Sequence, residues 1–155
     1  MNKTNEVVKM AALFFVIFGC FNGGLTLLSY LYSSIGLGYL GQKNIALIYG
    51  GYFISNFFAR KFIGFFRELK LSLMVGGFFY AFTMFSAMYA YYCKQYQKFE
   101  GKCSKDSVVA LNYVSAFLLG FFGPTLIWNA QYAFIDKISS KKEKTQMFGT
   151  FYTIF

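Results

Sequence analysis

Charged residues divide this chain into five uncharged, largely apolar stretches. Residues 10–42, 44–59, 71–93, 107–135 and 145–155 contain no Lys, Arg, Asp or Glu and together hold 112 of the 155 residues. Their lengths are 33, 16, 23, 29 and 11 residues. About 20 mainly apolar residues cross a bilayer as a helix. The pattern therefore predicts an all-α, multi-pass transmembrane helix bundle, with residues 1–155 forming a single transmembrane domain. Full spans are expected at 8–30, 44–62, 71–93 and 108–135. A fifth, partial span is expected at 145–155, where eleven residues make about 16 Å of helix, roughly half the hydrocarbon thickness.

Details within the runs refine these boundaries. The first run exceeds the apolar region of a cleavable signal peptide, about 7–15 residues, and reads as a first transmembrane helix. The segment 33–39 is rich in Ser and Gly, and Gly36, Gly38 and Gly41 each weaken a helix. A loop or short interfacial turn is expected there. The second run is short, so its helix should continue to residue 62 with Arg60 and Lys61 reaching for the interface. Pro124 should kink the fourth helix, because proline removes a backbone donor. Gly19-xxx-Gly23, Gly51-xxx-Ser55 and Ala116-xxx-Gly120 have the small-residue spacing that lets membrane helices approach closely.

Composition supports the membrane reading. Only 14% of residues are charged, against 57% hydrophobic and 23% aromatic, whereas soluble domains carry about 25% charged residues. A soluble globular domain is excluded. The net charge is +9, but the lysines and arginines cluster between apolar runs and no basic helix carries interleaved aromatics. Nucleic acid is therefore not an expected partner. The bilayer and other membrane proteins are. The N-terminus and the connections near 60–70 and 137–144 carry ten Lys and Arg, against five in the other connections. The positive-inside rule then puts the N-terminus in the cytoplasm or its equivalent.

Candidate chemistry is sparse. The chain has no histidine, and its six carboxylates, Glu6, Glu68, Glu100, Asp106, Asp136 and Glu143, all lie outside the uncharged runs. No catalytic residue, metal site or cofactor is expected, and the chain does not read as an enzyme. Cys20 sits in an apolar run, while Cys93 and Cys103 bracket one polar loop. They form a disulfide if that loop faces an oxidising compartment.

Function in a membrane bundle usually sits on the polar residues kept in its apolar zone. Asn22, Thr26 and Ser29 follow i, i+4, i+7 spacing on helix 1, and helix 4 carries Asn129 and Gln131. These five are the candidates for lining a cavity. Helix 3, with Thr83 and Ser86 in its interior and no amide, is expected at the periphery. The alternative is that the amides bond across helices and hold the bundle together. Trp128 and Tyr132 have a second reading as interfacial anchors.

Three segments carry a resemblance. They are Gly36-Leu37-Gly38-Tyr39 with Ala46-Leu47-Ile48-Tyr49, residues 118–131 ending Leu126-Ile127-Trp128-Asn129-Ala130-Gln131, and Phe148-Gly149-Thr150-Phe151-Tyr152. In that order they resemble the uncoordinated-type ion-channel regulators (UNC, number ninety-three), a branch of the major facilitator superfamily. The resemblance covers the chain from about residue 14 onward and corresponds to the first part of a family member. It implies a twelve-helix fold of two six-helix halves, with helices 1 and 4 lining a central cavity. It also implies a transmembrane transporter or a regulator of channels or receptors. The superfamily's gate loop reads Gly-x-x-x-Asp-Arg-x-Gly-Arg-Arg. Here Arg60 and Lys61 are the gate-loop candidates, and the Asp is absent. A small-molecule substrate is left open. The alternative function is a non-transporting accessory subunit of a larger membrane complex.

Overall fold

The computed structural model describes residues 3–59, 61–62, 69–97 and 100–155. Among them are five α-helices: α1 (Lys3–Ser34), α2 (Gly38–Asn56), α3 (Leu69–Gln97), α4 (Lys105–Ile138) and α5 (Lys144–Ile154), with a 3-10 turn at Gly101–Cys103 before α4. No strand occurs among the described residues. Arg60 lies outside them, and Lys61 is exposed.

Among the described residues three helices, not four, are long and apolar enough to cross a membrane: α1, α3 and α4. The expected second span falls short on apolarity rather than length. The 19 residues of α2 measure about 28 Å, but its first half carries Gln42, Lys43 and Asn44, and tyrosines recur along it. The helix borders also shift. α1 runs to Ser34 and α2 already begins at Gly38, so the expected 33–39 loop contracts to a three-residue turn. Gly36 has a φ of 77°, the left-handed conformation that closes a helix C-terminus. The Gly36 amide bonds the Ser33 carbonyl and the Leu37 amide bonds the Tyr32 carbonyl, at 3.1 and 2.7 Å. Leu37 is fully buried beneath the turn. Gly38 and Gly41, expected to break helix, lie inside α2 instead. There they let the Ser33 and Ser29 side chains of α1 come close. α4 runs unbroken through Pro124.

The most extensive packing joins α3 to α4, followed by α2 to α4. α1 leans on α2 and α5 and touches α3 only slightly. Glycine explains the α2–α4 contact. A Cβ on Gly120 would stand 2.7 Å from the Ile48 carbonyl carbon and 2.8 Å from its Cα. A Cβ on Gly51 would stand 3.0 Å from the Phe117 oxygen. Ser55 and Thr125 hydrogen-bond across the same seam. Two of the three small-residue pairs read from the sequence, Gly51-xxx-Ser55 and Ala116-xxx-Gly120, thus belong to one interface. The third, Gly19-xxx-Gly23, has nothing within 4 Å of either glycine position.

Beside the Gly36 turn, a buried polar network ties four helices together. The Tyr32 hydroxyl donates to Asn112 Oδ1 at 2.5 Å and accepts from Asn44 Nδ2 at 3.4 Å. Ser86 bonds Asn112 Oδ1 at 3.3 Å and the Ser115 hydroxyl at 2.7 Å. Thr83 donates to the Ser115 carbonyl at 3.1 Å. α3 is therefore not peripheral. Its Thr83 and Ser86 are small hydroxyls that meet α4 directly, which a count of amides along the sequence overlooks.

Ion pairs and a disulfide secure opposite ends. Lys3 pairs with Glu143 at 3.2 Å, and Lys144 with Asp136. Hydrogen bonds from Ser140, and then from Lys3, hold the Glu143 carboxyl below its ordinary range. At the other end Cys93 and Cys103 form a disulfide with Cα atoms 5.3 Å apart, and Cys20 is free and exposed.

Two outcomes check this architecture. Gly120→Ala should lower stability by about 1–3 kcal/mol, the usual range for overpacking a tight site. Gly19→Ala should change it by less than about 0.5 kcal/mol, with both read by thermal unfolding in detergent. Maleimide labelling of the denatured chain should modify one cysteine without reductant and all three after reduction, counted by intact mass.

Candidate functional site

Where α1 leans away from α4, the bundle leaves a half-open cavity of about 300 Å³. Phe18, Phe21 and Asn22 of α1, Ile48, Tyr49 and Tyr52 of α2, Tyr80 of α3, Leu119, Pro124 and Trp128 of α4, and Phe155 line it. The helices place these residues by simple periodicity. Phe18, Phe21 and Asn22 share one face of α1 at i, i+3 and i+4. Ile48 and Tyr52 are one turn apart on α2, as are Pro124 and Trp128 on α4.

The walls are mostly ring edges and faces. Phe21 meets Tyr80 edge-on with ring centres 4.6 Å apart, and Phe18 meets it at 5.4 Å. Trp128 lies 5.2 Å from both Phe18 and Phe155. Phe14 backs this group, 5.5 Å from Trp128 and 5.2 Å from Phe151. Edge-to-face pairs of this kind each contribute about 0.5–1.5 kcal/mol beyond their buried area. The aromatic wall is accordingly preformed and does not depend on a ligand to stand.

The polar groups are few and unengaged. The Asn22 amide and the hydroxyls of Tyr49, Tyr52 and Tyr80 have no hydrogen-bond partner among the described residues. No charged side chain among the described residues lines the cavity.

Of the five residues proposed from the sequence to line a cavity, Asn22 does so. Thr26 is exposed and its hydroxyl bonds back to the Asn22 carbonyl at 3.2 Å. Ser29 faces Gly41 at the α1–α2 contact and lines a second, much smaller cavity of about 10 Å³ there, with Tyr32, Asn44 and Thr83. Asn129 Nδ2 is spent on the Thr125 carbonyl at 2.6 Å. Gln131 is fully buried, is not among the lining residues, and neither end of its amide has a hydrogen-bond partner among the described residues. Trp128 belongs to the cavity wall. Tyr132 hydrogen-bonds Tyr152 at 3.0 Å. Sequence reasoning missed Tyr49, Tyr52 and Tyr80. The available signal for two of them was the i, i+3 tyrosine pair on α2.

Comparison with known proteins finds no matching family model, no matching curated protein and no matching solved structure.

A buried amide without partners costs about 1–3 kcal/mol. Gln131→Met keeps the volume and removes that cost, so it should raise the melting temperature by about 2–4 °C for each kcal/mol recovered. A fall on thermal unfolding in detergent would show that Gln131 is paired.

Proposed function

We propose that this chain is the first part of a facilitator-type membrane protein that holds a small solute in the cleft between α1, α2 and α4. The observation that carries this reading is a preformed ring-lined cavity with free hydrogen-bonding groups, inside a bundle containing three helices of membrane-spanning character. Water is scarce in the bilayer core, and an unsatisfied polar group there costs several kcal/mol. A solute that bonds Asn22 and the tyrosines removes that cost. The resemblance to uncoordinated-type facilitators carried by residues 118–131 supports the same reading, since that segment includes Pro124 and Trp128 of the cleft.

A second reading, an accessory subunit in a larger membrane assembly, draws on a different observation. Gly19, Gly23 and Thr26 form an exposed small-residue face on α1 with no neighbour within 4 Å of either glycine position, the kind of surface against which another membrane helix packs.

The two readings part in one experiment. Cells expressing the protein are screened for accumulation of labelled small solutes, and the membranes are solubilised for purification. A solute-bearing cleft predicts at least one accumulated solute whose uptake falls about tenfold in Asn22→Leu and persists in Gln42→Ala. An accessory subunit predicts no such solute and co-purification with another membrane protein at fixed stoichiometry.

A further inference from the structure

The solute reading leaves the chemistry of the solute open. Three features of the cleft narrow it. The first is size. A cavity of about 150 Å³ accepts benzene, so this cleft of about 300 Å³ takes one or two rings. The second is charge. No charged side chain among the described residues lines the site, and an ion brought out of water without a counter-charge carries a penalty far larger than a few hydrogen bonds return. The third is the mixed lining. Phe18, Phe21 and Trp128 offer ring surface, and Asn22, Tyr49 and Tyr52 set an amide and hydroxyls into the same lining.

Resting on the solute reading, we propose that the cleft binds an uncharged, planar one- or two-ring molecule bearing a hydroxyl or amide group. Its ring body lies against Phe18 and Trp128, and its polar group bonds the Asn22 amide and a tyrosine hydroxyl. Asn22 supplies both a donor and an acceptor, so it receives either an alcohol or an amide. A charged ring compound of the same outline is rejected, because the cleft offers it no countercharge. Stacking supplies affinity, and the polar groups set orientation.

Trp128 is the only tryptophan in the chain and stands in the wall, so its fluorescence reports occupancy. The purified full chain in lipid nanodiscs is titrated with 1-naphthol and, separately, with 1-naphthoate, using empty nanodiscs as the partition control. The expected result is saturable quenching by 1-naphthol at one site. Its Kd should rise about tenfold in Asn22→Leu and about threefold to tenfold in Tyr52→Phe, both variants keeping the wild-type thermal transition. The naphthoate should bind at least about tenfold more weakly. Saturable naphthoate binding of equal or greater strength, weakened by Asn22→Leu, overturns the uncharged class and leaves the solute cleft standing. Quenching by 1-naphthol that grows linearly and equally in wild type and Asn22→Leu is bilayer partition, and it overturns the ring-binding proposal. The solute cleft itself falls separately, when the accumulation screen yields no solute that depends on Asn22.

Discussion

Gly120 brings the backbone of α4 against Ile48 with no room for a side chain between them. That approach sets the position of α2, and α4 also holds α3 through its most extensive contact. Gly76 and Gly123 repeat the device on the α3 side: a Cβ on Gly76 would stand 3.1 Å from the Gly123 oxygen, and one on Gly123 would stand 3.1 Å from the Tyr80 ring. In lipid, helices gain little from burying apolar surface against one another, so close packing and interhelical hydrogen bonds must supply the attraction. Here both occur on α4. α1 meets none of these glycine seams, and its looser seating is what leaves the cleft open.

Polar groups in this bundle follow two regimes. Near the Gly36 turn, Tyr32, Ser86, Asn112 and Ser115 bond one another across helices. In the cleft, an amide and three hydroxyls remain without partners among the described residues. Side chains of the same chemical kinds therefore serve as structural ties in one place and border open space in the other. The neighbours decide which: at the network, hydroxyls and amides of four helices face one another, whereas at the cleft the facing side chains are mostly aromatic rings.

Much of the helical plan was legible in the sequence, because uncharged runs bounded by lysine and arginine mark helices directly. The spacing of Gly51, Ser55, Ala116 and Gly120 announced a close seam, although not that the two pairs face each other. α2 shows that absence of charge is not apolarity: Gln42, Asn44 and its tyrosines keep it from the hydropathy of a span. The candidate site was only partly legible. An i, i+4, i+7 stripe states which residues share a face of α1, but not where that face stops being covered. Asn22 falls beside the cleft, Thr26 outside it and Ser29 against Gly41. Tyrosines were invisible as candidates because at sequence level they count with the apolar residues, and only the fold turns three of them toward one space.

The Cys93–Cys103 bridge encloses Lys94, Lys98 and Lys102 within a short ring of chain. The link from α3 to α4 is therefore covalently doubled. A protease that cuts after any of these lysines opens the ring without parting the molecule, and the two pieces remain one covalent body until the sulfurs are reduced. This lysine-bearing connection can thus be severed while the α3–α4 pair, the most extensive contact in the bundle, stays joined.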